Sequence, residues 1–194
     1  MLHLGGQVNR CNMLLLDSAR VHANASTSFH GSRLNGLQPG VNQPNMTEND
    51  RRVFRLKDYV RWGDVDPAGI IRWDAYTRFF ELAEAEFFRD LGIPYRQIFQ
   101  RFKVGLPRRV MHIDFESAPV LDEQLEVCVY VSNVGTTSMT MNFDIYGDAG
   151  VVRAAGYLVL VCVDAGGMIK RPWPPELLGL IEPFRMSTAE ARDH

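Results

Sequence analysis

The sequence predicts an α+β domain in which one antiparallel sheet of about five strands wraps around a single long helix. Three observations predict it. Period-two alternation marks one strand at Val53–Trp62 and four more between Arg108 and Val163. The segment between them, Asp74–Leu91, carries apolar residues at helical spacing over an arc far wider than a stripe. The later strands are joined by short turns rich in Gly, Asn and Asp. A sheet with one buried face needs a cover, and only that helix is long and apolar enough to provide it.

Each element follows from its own pattern. In the first strand Phe54, Leu56, Asp58, Val60 and Trp62 alternate with Arg55, Lys57, Tyr59 and Arg61, which assigns the first set to the buried face. An acidic turn, Gly63-Asp64-Val65-Asp66-Pro67-Ala68-Gly69, ends it. The helix then runs about five turns. Tyr76, Phe79, Phe80, Ala83, Phe87 and Leu91 recur at spacings of three and four, and Leu82, Ala85 and Phe88 widen the arc. Its charged residues, Glu81 and Glu84 among them, call for one side open to water. Asp74 has the chemistry of an N-cap and Gly92 that of a C′ residue. Pro94–Phe102 reads as a short second helix with Pro in its first turn.

Strands follow at Arg108–Phe115, Leu125–Ser132, Met139–Tyr146 and Val151–Val163, with Gly147-Asp148-Ala149-Gly150 as a hairpin turn. Consecutive strands with short turns imply an antiparallel meander. A Pro-rich stretch at Arg171–Pro175 leads to a short helix at Glu176–Ile181.

Composition bounds the function. The 194 residues are 46% hydrophobic and 23% charged, with a formal net charge of −2. There is no basic excess for nucleic acid or an anionic membrane and no apolar run long enough to span a bilayer. Cys11, Cys128 and Cys162 are scattered without CxxC spacing, so neither a disulfide framework nor a zinc site is predicted. Reduced, buried thiols fit a cytoplasmic location. Residues 1–50 are rich in Asn, Ser and Gly and poor in acids and aromatics. They read as a disordered N-terminal extension or a start upstream of Met46, with a transit peptide as the rival. The folded domain is assigned to 51–185 and a flexible tail to 186–194.

The chemistry concentrates at Gly63–Gly92. A carboxylate just upstream of a helix N-terminus lies beside unpaired backbone N–H groups, an arrangement suited to acyl chemistry. Asp66 serves either as a reactive group or as an ordinary turn cap, since Asp before Pro is common in turns. Asp64, two residues away, reads as structural.

The Asp64-Val65-Asp66-Pro67-Ala68-Gly69-Ile70 turn before the long helix, and the element order around it, resemble the hot dog fold. More narrowly, the chain resembles the 4-hydroxybenzoyl-CoA thioesterase branch of acyl-CoA thioesterases, over roughly Arg55–Phe184. The Ala118–Glu123 loop, Ser138 opening a strand and the Pro172–Leu177 segment carry the resemblance further. It implies an acyl-CoA substrate, no separate cofactor and no metal. It also implies a homodimer or homotetramer with the site at the subunit boundary. Asp66 would be nucleophile or general base, and the backbone N–H of Trp73 would polarise the thioester carbonyl. Gly69, Tyr76, Thr136, Thr137 and Ser138 would contact substrate.

The chain departs from the family in three places. The His that some relatives place shortly after the turn's glycine is missing after Gly69, Asp74 follows the helix-opening aromatic where the family often has Pro or a small residue, and the Asn133–Ser138 loop lacks the basic cluster that meets the CoA phosphates in aryl-specific relatives. The phosphate contacts stay open between the hydroxyls and amides of Thr136, Thr137 and Ser138 and the charges of Arg108, Arg109, Lys170 and Arg171. Glu81 and Glu84 are rival carboxylates, read as exposed helix charge, and His112 as a satisfied histidine. A non-catalytic acyl-CoA-binding protein and a hot dog dehydratase or hydratase are the alternative functions.

Overall fold

A computed structural model describes residues 51–194. The extension and Cys11 lie outside the described residues. Strand β1 (Phe54–Tyr59) leads through the acidic turn to helix α1 (Tyr76–Asp90), and α2 (Tyr95–Gln97) continues into a π-helical turn over Ile98–Phe102. Strands β2 (Val104–Gly105), β3 (Arg108–Phe115), β4 (Gln124–Val134), β5 (Ser138–Tyr146), β6 (Val152–Val161) and β7 (Val163–Asp164) follow. Helices α3 (Pro175–Ile181) and α4 (Thr188–Asp193) close the chain.

Five strands form one antiparallel sheet in the order β1-β4-β5-β6-β3, and β2 pairs with β7 beside it. The predicted hot dog arrangement is present. The simple meander needs correction. The strands β4, β5 and β6 are sequential neighbours, but β3 lies at the far edge against β6. The loop 116–123 carries the chain back across the end of the sheet. It is held there by Glu116 and Ser117 N–H bonds to the Arg153 carbonyl (3.0 and 3.1 Å) and by the Arg153 side chain on buried Glu123 (2.7 Å).

Helix α1 covers the inner face. Phe79, Phe80, Ala83, Phe87 and Phe88 are fully buried, packed in one core with Leu125, Val127, Val129, Val131, Met141, Phe143 and Ile145. Each such phenylalanine contributes about 1.5–3 kcal/mol by leaving water. Phe80 fixes the helix height. Its ring stacks on Phe143 at 4.4 Å and lies over Gly156, the residue paired with Phe143 across β5 and β6. A side chain on Gly156 has no room, since a Cβ there would stand 2.3 Å from the His112 carbonyl oxygen and 2.8 Å from the Phe80 ring.

The helix ends as Gly92 dictates. Gly92 has φ +73, its N–H bonds the Arg89 carbonyl (2.9 Å) and the Ile93 N–H bonds that of Phe88 (3.0 Å). Its start differs from the reading. Trp73–Ala75 form a 3₁₀ turn, α1 begins at Tyr76 and spans 15 residues, and Asp74 caps nothing. The Asp74 carboxylate is drawn instead to the Arg72 guanidinium (2.9 and 3.0 Å). Trp62, assigned to the buried face of the first strand, sits past the strand in a 3₁₀ turn and is 80% exposed. Pro94 precedes its helix as the N-cap residue.

Residues 186–194, expected as a flexible tail, carry α4. Ser187 and Glu190 form a capping box, and Ala191 and Met186 bury against Tyr130 on the outer face of the sheet. Cys128 and Cys162 are buried free thiols.

Gly156→Ala is therefore expected to destabilise the fold by about 1–3 kcal/mol through overpacking against a backbone carbonyl. Denaturant unfolding checks it; an unchanged midpoint would show that Phe80 and β3 move apart freely.

Candidate active site

The acidic turn is a small hairpin. The Asp66 N–H bonds the Ile70 carbonyl (3.0 Å), Val65 bridges Ile71, and the Arg72 N–H bonds the Asp64 carbonyl (2.8 Å). At its tip the Gly69 N–H bonds the Asp66 carbonyl (2.9 Å) with Gly69 at φ +80, a conformation that suits glycine. Crossing beneath it, the 116–123 loop accepts the Ile71 N–H on the Pro119 carbonyl (3.1 Å) and bridges Ile70 through Val120.

Asp64 anchors this hairpin to the rest of the domain. Its side chain is buried, and both carboxylate oxygens accept from Arg78 of α1, through Nε to Oδ1 at 3.0 Å and through Nη2 to Oδ2. Oδ2 also takes the Arg61 N–H (2.9 Å). The same Arg78 guanidinium reaches the Asp58 carboxylate (2.6 Å) and the Tyr59 carbonyl (3.2 Å) at the end of β1. Asp58 is held below the usual carboxylate range: its burial works against ionisation, and hydrogen bonds from Arg78 and the backbone outweigh it. The structural reading of Asp64 stands.

Asp66 is half-buried near the tip. Its Oδ1 accepts the Ala68 N–H (2.8 Å), the expected turn cap, which fixes the carboxylate and leaves Oδ2 with no hydrogen bond from the described residues. Trp73 lies two to three residue steps along the returning strand, roughly 7–10 Å away along the hairpin. It opens the 3₁₀ turn leading into α1, and its N–H has no backbone acceptor among the described residues. Its indole is 76% exposed. Tyr76 is buried, with its ring 4.9 Å from Phe115. A cleft of about 270 Å³ opens here, lined by Ile70, Ile71, Trp73, Tyr76, Phe115 and the loop that follows. Trp73 and Tyr76 thus line this opening with Ile70 and Ile71, while Asp66 and Gly69 lie in the adjoining hairpin tip, outside its lining.

Thr136, Thr137 and Ser138 do not join them within one chain. The β1 end at Tyr59 pairs with Gln124, at the start of β4, and β4 then runs 11 residues to Val134 before the turn carrying these residues. They lie at the opposite end of the sheet, roughly 30–35 Å away. A larger hollow of about 460 Å³ lies on the outer face of the sheet. Its charged walls are already paired, Arg55 and Lys57 with Glu126 and Arg192 with Asp144. It lacks the apolar lining an acyl group needs.

Glu84 is a correction. Expected as exposed charge, it is fully buried on α1, where Oε2 accepts from Arg108 (2.5 Å), while Oε1 has no partner among the described residues. Burial raises its pKa, and the Tyr95 hydroxyl and Arg108 only partly oppose the rise. The Tyr95 hydroxyl is itself pushed up by burial and by Glu84. Glu81 is exposed, as expected. The signal for Glu84 was its place in the i, i+4 row with Phe80 and Phe88. His112 is half exposed on β3, with Nε2 2.9 Å from Asp114 and its ring against Tyr157.

Fold and cleft together define a hot dog protein whose apolar cleft opens at the start of its central helix. The sequence profile of the thioesterase-like superfamily matches residues 60–181, and the chain belongs to that family, whose reaction is thioester hydrolysis. No curated protein matches it in sequence. Among solved structures it is similar to a thioesterase superfamily protein from Jannaschia sp. CCS1 (27% identity, TM-score 0.65, covering 70% of this chain and 94% of that one). It is similar to Slr0204, a 1,4-dihydroxy-2-naphthoyl-CoA thioesterase from Synechocystis (18%, 0.62, 67% and 96%). It is also similar to SAV2348 from Staphylococcus aureus, solved in complex with CoA (12%, 0.65, 74% and 94%).

The buried Glu84 makes a pH prediction. Its native pKa is raised, so between the ordinary carboxylate range and the raised value the native state binds more protons than the unfolded chain. The stability it contributes is present below the ordinary range and is lost as pH rises through the raised value. Glu84→Gln removes that dependence. The melting temperature of the variant minus that of the wild type should grow as pH rises from the ordinary carboxylate range through the raised value; a flat difference would contradict the burial cost.

Proposed function

We propose that this thioester hydrolase acts on acyl-CoA, releasing the free acid and CoA, with Asp66 and the Trp73 N–H as the reacting groups. The observation that carries the reading is the unpaired Trp73 N–H at a helix-opening turn, beside an apolar cleft and a fixed carboxylate with a free oxygen.

The N–H and the positive end of α1 stabilise the oxyanion that forms when the thioester carbonyl is attacked. The free oxygen of Asp66 either attacks the carbonyl carbon or takes the proton of the attacking water. In the first route the acyl group passes to the carboxylate as a mixed anhydride while the CoA thiolate leaves, and water then cleaves the anhydride; in the second, water adds directly and the thiolate leaves. Either route consumes one water, whose hydroxyl ends on the acid and whose proton goes to the thiolate. Ile70, Trp73, Tyr76 and Phe115 hold the acyl chain or ring. The CoA-bound relative and the aryl-CoA thioesterases among the structural neighbours support an acyl-CoA substrate and leave the acyl group open between aryl and short or medium chains. Among the described residues no helix is long and apolar enough to cross a membrane.

Thiol release from a panel of aryl, short, medium and branched acyl-CoAs tests the reading. At least one should be turned over, and Asp66→Asn should lower kcat by about 10²–10⁴ with little change in KM. No turnover of any acyl-CoA would leave a non-catalytic acyl-CoA-binding protein. Full activity in Asp66→Asn would move the chemistry elsewhere, with buried Glu84 next in line.

A further inference from the structure

Among the described residues the lining of the 270 Å³ cleft holds a single charged side chain, Glu116. Ile70, Ile71, Trp73, Tyr76 and Phe115 form the apolar walls, and Glu116 opens the loop that completes them. It follows Phe115, whose ring meets Tyr76. Its backbone is pinned where β3 ends, because the Glu116 and Ser117 N–H groups both donate to the Arg153 carbonyl (3.0 and 3.1 Å). Glu116 is exposed, and its carboxylate forms no ion pair among the described residues.

The described cations around the cleft are already committed. Arg72 spends Nε and Nη2 on Asp74 and Nη1 on the Gly63 carbonyl. Arg78 is held by Asp58 and Asp64, Arg61 by Asp58, and Arg153 by Glu123 and the Ser117 hydroxyl. Asp66, Glu116 and Asp122 have no ion pair among the described residues, so this end of the domain carries excess negative charge. The donors that the lining side chains offer are neutral, the Trp73 indole and the Tyr76 hydroxyl, whose pKa burial pushes up. An acyl group with a carboxylate of its own would carry that charge between apolar walls with no cation to meet it, and beside a like charge. Both are costly. The phosphates of CoA escape this field, because they sit past the pantetheine arm, farther from the thioester than the screening length of about 8 Å at physiological ionic strength.

We propose that Glu116 sets the charge selectivity of this enzyme: it bars acyl groups that carry a free carboxylate from the cleft, and the substrate is the CoA thioester of an uncharged acyl group. The inference rests on the acyl-CoA reading and narrows its substrate class. Glu116 takes no part in the chemistry at the carbonyl. It acts on the ground state and the transition state of the wrong substrate alike, by repelling a charge that the right substrate lacks.

The test uses pairs of thioesters alike in shape and different in charge, a carboxylate in one and a methyl ketone in the other. Glutaryl-CoA with 5-oxohexanoyl-CoA serves for a chain, and 4-carboxybenzoyl-CoA with 4-acetylbenzoyl-CoA for a ring, the pair being matched to the best substrate of the acyl-CoA panel. In the wild type kcat/KM should favour the ketone by about a hundredfold or more. Glu116→Gln should narrow that ratio about tenfold, and Glu116→Lys should narrow it further. Added salt should narrow it in the wild type and much less in Glu116→Gln, a response that a purely steric wall would not give. A wild type that takes both members of a pair equally overturns the proposal, as does a ratio that stays put in both Glu116 variants. If Asp122→Asn, outside the cleft, narrows the ratio as much as Glu116→Gln does, the assignment to Glu116 falls. A panel with no turnover at all would instead sink the acyl-CoA reading, and this inference with it.

Discussion

The guanidinium of Arg78 joins three parts of the chain that the chemistry needs in fixed relation. It lies in the first turn of α1, holds both oxygens of Asp64 in the turn, and reaches Asp58 and the Tyr59 carbonyl at the end of β1. Without it, Asp64 would be a buried carboxylate with only the Arg61 N–H for a partner, and breaking such a pair costs several kcal/mol. The clamp sets where the hairpin sits against the helix. That in turn sets where the Asp66 carboxylate lies relative to the Trp73 amide. Neither the Asp66 carboxylate nor the Trp73 N–H hydrogen-bonds Arg78.

The sheet depends on a second constraint with the same outcome. Phe80 needs the gap above Gly156 to stack on Phe143, and this seats α1 close to β5 and β6. With α1 seated, Tyr76 meets Phe115 at the end of the edge strand, and the cleft forms between helix, hairpin and edge. The cleft is open because β3 is an edge. Its apolar residues Val110, Met111 and Phe115 are exposed along that edge.

Much of this was legible in the sequence. Alternation located the main strands, the wide apolar arc located α1, and Gly92 marked its end because only a residue at ease with positive φ closes a helix in that way. The acidic turn and the helix opening after it marked the place where the apolar cleft lies. Other features were not legible, for physical reasons. Strand order is decided by the path of the 116–123 loop across the sheet end, which leaves no period in the sequence. Asp74 looked like a cap, but its neighbour Arg72 offered a stronger partner than backbone N–H groups did. Glu84 looked like surface charge because burial of a carboxylate depends on a partner, Arg108, 24 residues away on the edge strand. The separation of Thr136–Ser138 from Asp66 follows from strand length and pairing, which residue type does not encode.

The central claim is that the N–H of residue 73 holds the developing oxyanion. It can be removed without disturbing the turn. Arg72 has φ −71 and ψ 146, a conformation allowed before proline, and proline suits the first position of a helical turn. Trp73→Pro deletes the N–H and the indole, and Trp73→Ala deletes the indole alone, so their comparison isolates the amide. The account predicts a kcat for Trp73→Pro about 10²–10³ below that of Trp73→Ala on the same acyl-CoA. Equal kcat values in two folded variants would contradict it.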